Sequence, residues 1–301
     1  MCLVSGYRCS GFANDSYGEF GWEVGSAVSR RHYVTTKRLE SLRASLSQRD
    51  WAILNDIDRL GIMSGGQLRI IHYAPTGLSR RQARMDLSEL VNLEVLQRLG
   101  RRIGGEHSGS DGYCYAIGLA GQRLIDPDRR RTWRIPTPGP ALLSHATAVS
   151  QLYVELQAAA SGPTHLAGFD AEPACWRRYF GPGGSPQWLK PDAYVAIESD
   201  DYEDRYFIEV DCATEFPARI VSKARAYISY WQSGREQSDD DIFPIIAFVV
   251  PTATRKAQLV DALSRLPAEH WRLFVVTTSD RASEALLDGS LLETAHEESV
   301  S

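Results

Sequence analysis

The chain has 301 residues, is 43% hydrophobic and carries a formal net charge of −5 at pH 7. That hydrophobic share builds a full core and excludes a disordered chain, and the length suits one large domain or two modest ones. In the second half the longest strictly apolar run, Ile245 to Val250, is far too short to cross a bilayer.

Residues 1–38 read as a flexible lead segment, with Gly and Ser abundant and no sustained period. The start "MCLVSGYRCSGF" lacks the basic opening and apolar stretch of a signal peptide. Cys2, Cys9, Cys114, Cys175 and Cys212 show no C-x-x-C spacing and read as reduced thiols of a cytoplasmic protein. Charge is unevenly spread. Residues 25–135 hold 19 Lys and Arg against 11 Asp and Glu, whereas residues 136–301 hold 13 against 24. Either a basic binding module precedes an acidic one, or surface charge is merely clustered.

Residues 39–135 show helical periodicity first. In "SQRDWAILNDIDRLGIMS", Trp51, Leu54, Ile57 and Leu60 share a face, and Gly61 stops the helix. Ser64 with Gln67, and Ser79 with Gln82, have capping-box spacing and predict two further helices. On the third, Ala83, Leu87 and Leu90 line one face while Arg81 and Arg84 line the other, with Arg80 beside them. "EVLQRLGRRIGGEHSGSDGYCYAIGL" predicts a strand, a Gly/Ser turn bearing Arg101 and Arg102, and a returning strand. Three helices and a two-stranded wing predict a winged helix that places its third helix in the major groove of double-stranded DNA. Arg80, Arg81 and Arg84 would read the groove, and Arg101 and Arg102 would meet phosphates. A solvated arginine face on an ordinary helical domain is the alternative. "DPDRRRTWRIPTPGP" then ends the module, with a linker at 136–143 and phosphate-contacting or simply exposed arginines at 129, 130, 131 and 134.

Residues 144–301 predict helix, three-stranded meander, helix, strand, helix, strand, an α/β layering around a mixed sheet. The helix "SHATAVSQLYVELQAAA" carries His145, Val149, Leu152 and Leu156 in one stripe with Glu155 at its edge. His145 reads as a satisfied core histidine. The meander is "LAGFDAEPAC", "QWLKPDAYVAI" and "RYFIEVDCAT". Pro191-Asp192 opens its second strand, and Glu209-Val210-Asp211 ends its third. By alternation Glu209 and Asp211 face the same side. Two neighbouring carboxylates on a half-buried face need a cation or a basic partner, so either Mg²⁺ or a structural lysine or arginine is expected beside them.

This order, with Pro191-Asp192 and Glu209, resembles the PD-(D/E)XK nuclease superfamily. The resemblance assigns Glu155 to the acidic position of the first helix and Asp192 and Glu209 to the strand carboxylates. It implies an endodeoxyribonuclease using Mg²⁺, with Mn²⁺ as a substitute, held by Asp192 and Glu209, and Asp211 or Glu155 would complete the shell. The chain departs from the pattern at Asp211, where the superfamily has lysine. Lys223 on the following helix, with Tyr227 one turn on, is the candidate replacement.

Both halves in this order, with "RDWAILNDIDRLGIMSGGQL", "PDA" at 191–193 and "IEVDCATE" followed by Lys223 and Tyr227, resemble the replication-relaxation proteins of actinobacterial plasmids and integrative elements. That resemblance implies a DNA-binding protein serving replication, relaxation or transfer, with replication or relaxosome proteins as partners. No His-apolar-His relaxase core and no phosphate loop are present in the sequence. The expected fold is α+β, an N-terminal winged helix followed by an α/β restriction-nuclease-like domain with a mixed sheet. Three functions stay open: Mg²⁺-dependent nicking, a non-enzymatic accessory role on a catalytically silent domain, and a transcriptional regulator whose acidic half forms a homodimer.

Overall fold

Short apolar stripes closed by capping serines build the first part of the protein. The computed structural model describes residues 34–76, 79–101, 112–129, 131–160, 162–181, 183–200, 202–240 and 242–289. Most of the lead segment, Arg102 with the rest of the wing turn to residue 111, Arg130, Cys2 and Cys9 lie outside them. Helix α1 (Thr36–Ser45) is capped by Thr35, and α2 (Gln48–Leu60) starts from a capping box of Ser47 with Asp50. Gly61 ends α2 at φ +75°, a left-handed backbone that glycine adopts without strain. After β1 (Met63–Ser64), α3 (Gly65–His72) begins from the capping box of Ser64 with Gln67. Helix α4 (Ser79–Asn92) starts differently from expectation. Ser79 is already helical and its hydroxyl donates to the Thr76 carbonyl, while Gln82 donates to Asp86.

Strands β2 (Leu96–Arg101) and β3 (Tyr113–Ile117) pair antiparallel, and β1 adds to the far side of β3. A short helix, α5 (Leu119–Ile125), with no counterpart among the expected elements, follows β3. It packs so closely on the turn at residues 94–96 that a Cβ at Gly118 would lie 2.2 Å from the Glu94 carbonyl oxygen.

The long helix α6 (Pro140–Ala159) leads into β4 (His165–Ala171), β5 (Arg177–Phe180), β6 (Pro186–Leu189), β7 (Ala193–Ser199) and β8 (Tyr202–Val210). Then come α7 (Pro217–Gln232), α8 (Arg235–Asp240), β9 (Ile245–Val250), α9 (Ala253–Leu263), a 3₁₀ turn at Ala268–Leu273, β10 (Phe274–Thr278) and α10 (Ala282–Leu287). The main sheet has the order β10-β9-β8-β7-β4. Strands β4, β7 and β8 form the antiparallel meander, and β9 and β10 join β8 in parallel. The protein is therefore α+β with a mixed five-stranded sheet, as expected. One expected strand, "QWLKPDAYVAI", is two: the chain breaks at Lys190–Asp192, and its first part pairs with β5 as a separate hairpin. Pro191 has no N–H to give a ladder, which suits the break.

Alternation along β8 assigns the two faces. Tyr206, Ile208 and Val210 enter the cluster of α6 and α10, and Phe207 enters that of α7 and α9. The first cluster does not stop at the sheet. It runs on through Leu152, Tyr153 and Leu156 of α6 to Ile53, Leu54, Ile57 and Leu68 of α2 and α3. Buried polar contacts cross the same seam. Gln67 donates to the Thr147 carbonyl at 2.8 Å, Ser150 to the Ile62 carbonyl at 2.6 Å, and Tyr153 to Asp56 at 3.1 Å. Because helices and sheet share one core, urea unfolding followed by far-UV circular dichroism and by tryptophan fluorescence is expected to give a single coincident transition. Leu152→Ala, at the seam, is expected to cost about 2–5 kcal/mol without splitting it. Two resolved transitions would contradict the shared core.

Candidate functional site

Parallel β8 and β9 end at the same edge of the sheet, and antiparallel β7 begins there, with Ala193 paired to Ile208. This topology alone brings Asp192, just before β7, together with Glu209 and Asp211 at the end of β8. All three are buried, at 7%, 3% and 7% exposure. Burying three carboxylates requires donors for each of them.

Each oxygen of the three has one. Asp192 Oδ2 accepts the Val210 N–H at 2.7 Å, and Oδ1 lies 3.1 Å from His145 Nε2 on α6. Glu209 Oε2 accepts from Lys223 at 2.8 Å and Oε1 from the Tyr227 hydroxyl at 2.7 Å, both on α7. Asp211 Oδ1 accepts the Ala213 N–H at 2.9 Å, and Oδ2 takes the Arg255 Nε–H from the first turn of α9. Lys223 also reaches Glu215 at 3.2 Å, and Arg255 donates to the Glu215 carbonyl at 2.6 Å. Three carboxylates thus face three cationic side chains, one each from α6, α7 and α9.

Electrostatics follow this pairing. Burial and the Asp192 charge push the Glu209 carboxyl up, and Lys223 and Tyr227 pull it back. Burial works to lower the Lys223 ammonium, but Glu209, Asp192 and Glu215 outweigh it and hold it above its ordinary range. His145 is raised to about 10, chiefly by its hydrogen bond to Asp192 and then by Cys212. Glu172 completes the electrostatic neighbourhood, since Asp192, His145 and Lys223 all act on it.

The sequence candidates divide accordingly. Asp192, Glu209 and Lys223 come together. Asp211 shares their edge but is bound to Arg255. Glu155 is elsewhere, ten residues beyond His145 and so about 15 Å along α6, where Gln151 donates to it at 2.9 Å and burial pushes its carboxyl up. His145 stands beside Asp192 instead, a partner rather than a packed core residue. Arg255 was not singled out in the sequence. A topological signal for it existed: a helix following a strand parallel to β8 must start over the end of β8. Among the described residues, no group of three or more His, Cys, Asp or Glu is disposed to hold a metal ion. A divalent cation at Asp192, Glu209 and Asp211 would compete with His145, Lys223 and Arg255 for these carboxylates.

At the other end of the protein, Arg80, Arg81 and Arg84 are exposed on α4 while Ala83, Leu87 and Leu90 are buried beneath. None of the three arginines makes a hydrogen bond or ion pair among the described residues. Arg101 closes β2, and Arg98 lies over the Tyr113 ring, 4.5 Å from its centre. No helix among the described residues is long and apolar enough to cross a membrane.

Comparison with known proteins gives one family. A family model described as replication-relaxation matches residues 54–246. No curated protein matches. Among solved structures, the restriction endonuclease FokI bound to DNA is similar at 12% identity and a TM-score of 0.27, over 88% of this chain and 48% of that one. The chain thus spans about half the length of that structure's chain.

Two measurements check the pairing. Arg255→Met strands the Asp211 charge and is expected to cost about 3–5 kcal/mol in urea unfolding, most of it recovered in Arg255→Met with Asp211→Leu. An uncorrected double variant would mean that Arg255 acts through packing alone. The second is pH dependence. A histidine raised from its ordinary 6.5 to about 10 adds stability that is complete below about pH 6.5 and lost as pH climbs through about 10. The stability difference between wild type and His145→Gln is therefore expected to shrink over that window. A difference that is flat with pH would show that the imidazole is not held charged by Asp192.

Proposed function

The protein belongs to the replication-relaxation family, and from that membership we propose that it is a cytoplasmic, duplex-DNA-binding accessory protein in the replication, relaxation or transfer of a plasmid or integrative element. The observation that carries the reading is the arginine face of α4. Arg81 and Arg84 project away from Ala83, Leu87 and Leu90, Arg80 is exposed in the first turn beside them, and among the described residues no carboxylate draws any of the three back. Helices α2 to α4 with the β2–β3 hairpin follow the order of a winged helix, whose last helix enters the major groove. The α4 arginines would then reach bases and phosphates, and Arg101 and Arg102 the flanking backbone.

The acidic edge of the sheet supports an accessory rather than a cleaving role. Phosphodiester cleavage of the restriction type needs carboxylates free to take a metal and a cation free to stabilise the phosphate. Here every oxygen of Asp192, Glu209 and Asp211 is engaged, and Lys223 is shared between Glu209 and Glu215. The cluster serves this protein as a charge-paired brace between three helices and the sheet.

In a mobility-shift titration, wild type is expected to bind duplex DNA at low salt. Arg81→Ala with Arg84→Ala should weaken binding at least tenfold and flatten the plot of log affinity against log salt by about one to two slope units. Unchanged affinity and slope would remove α4 as the contact surface. Incubated with supercoiled plasmid and Mg²⁺ or Mn²⁺, wild type is expected to leave the plasmid intact. Nicking lost in both Glu209→Ala and Lys223→Ala would overturn the accessory reading in favour of an endonuclease.

A further inference from the structure

The β5–β6 hairpin stands apart from the five-stranded sheet and has two unlike faces. Its inner face is packed. Tyr179 and Leu189 are buried, and Tyr179 meets Tyr230 of α7 edge-on at 5.1 Å. Arg177 lies over the Tyr194 ring and pairs with Glu236 of α8 at 3.3 Å.

The outer face is open. Strand alternation puts Trp176, Arg178 and Phe180 on it from one side, and Pro186, Trp188 and Lys190 from the other. Arg178 stands opposite Trp188, and Phe180 opposite Pro186. Phe180 is 65% exposed and Trp188 55%. Trp176 meets Trp188 edge-on at 6.5 Å, and the Lys190 ammonium lies 4.4 Å from the centre of the Trp176 ring. Charge is equally one-sided. Arg178 and Lys190 stand on this face, and residues 176–190 contain no Asp or Glu, inside a half where acidic residues outnumber basic ones 24 to 13; the one carboxylate at its margin, Glu172, accepts from the Trp176 indole at 3.1 Å.

Exposed rings interleaved with cations on a braced two-stranded ribbon are matched by one chemistry. Unpaired bases offer flat faces that stack on aromatic side chains, and the strand's phosphates answer the cations. A duplex keeps its base faces covered, so it can use the cations but not the rings. An apolar protein partner would use the rings but gain nothing from a local excess of positive charge. We propose that the outer face of the β5–β6 hairpin binds single-stranded DNA, with bases stacked on Trp188 and Phe180 and phosphates held by Arg178 and Lys190. The site goes beyond the duplex-binding reading and does not rest on it, because the hairpin and α4 share no residue.

The test is fluorescence anisotropy of the full chain at low salt. The probes are a labelled thymidine oligonucleotide of about 15 nucleotides, within the usual span of single-strand sites, and a labelled duplex of equal length. Phe180→Ala with Trp188→Ala is expected to weaken single-strand binding at least tenfold and to leave duplex binding within about twofold of wild type. Trp188→Phe, which keeps a ring, should retain single-strand affinity, and Arg178→Gln should lower its salt dependence. Arg81→Ala with Arg84→Ala should leave single-strand binding intact, so failure of the α4 reading and failure of this one are read separately. A wild type that does not bind the single strand, or a ring-deleted variant that binds it as tightly as wild type, overturns the proposal. Should the ring-deleted variant lose its far-UV spectrum, Trp188→Phe and Arg178→Gln decide, and equal weakening in both would also overturn the stacking role.

Discussion

Three carboxylates buried at one end of a sheet cannot stay there without positive partners, and the fold draws one from each of three helices packed on that sheet. His145 comes from α6, Lys223 from α7 and Arg255 from α9. The strands leave little choice in this. Parallel β8 and β9 end together, β7 starts beside them, and the carboxylates at these ends are brought to one edge. Buried ion pairs add little net stability over apolar residues of the same shape, but breaking one is costly. Their effect is on arrangement: a slipped helix would strand a buried charge, so the three helices are held in one register against the sheet edge.

Helix α6 carries that constraint into the rest of the molecule. One of its faces brings His145 to Asp192, and its length also packs on α2 and α3 through Leu152, Tyr153 and the Gln67 and Ser150 hydrogen bonds. The helices that bear α4 and its arginines are therefore mounted on the element that reaches the acidic edge. The arginine face of α4 and the acidic cluster are parts of one packed body, which suits the DNA-binding role proposed for it.

Much of this was legible in the chain. The 3.6-residue stripes, the serine and glutamine of the α3 capping box and the apolar run of β9 mark elements that the structure contains. So does the pair of carboxylates around Val210, because alternation is a property of any strand. What was hidden depended on tertiary neighbours. Glu155 and His145 both sit on α6 with plausible chemistry, and only the docking angle of the helix decides which meets Asp192. Arg255 lies 44 residues from Asp211, and its role follows from the parallel pairing of β8 with β9, which the apolar pattern of β9 suggests only indirectly. Strand β6 reads as one with β7 because Trp188, Leu189 and Tyr194 continue one strand-like pattern across the Lys190–Asp192 break, and β5, four residues long, gives no strand signal of its own.

The acidic edge is neutralised by the protein's own cations. This pairing is tested most directly by titrating Mn²⁺ into the full chain near neutral pH in a calorimeter, beside Asp192→Asn and Glu209→Gln. With His145, Lys223 and Arg255 occupying the carboxylate oxygens, the expected result is no saturable heat in wild type. A saturable heat in wild type that disappears in both variants would contradict it and make the cluster a metal site.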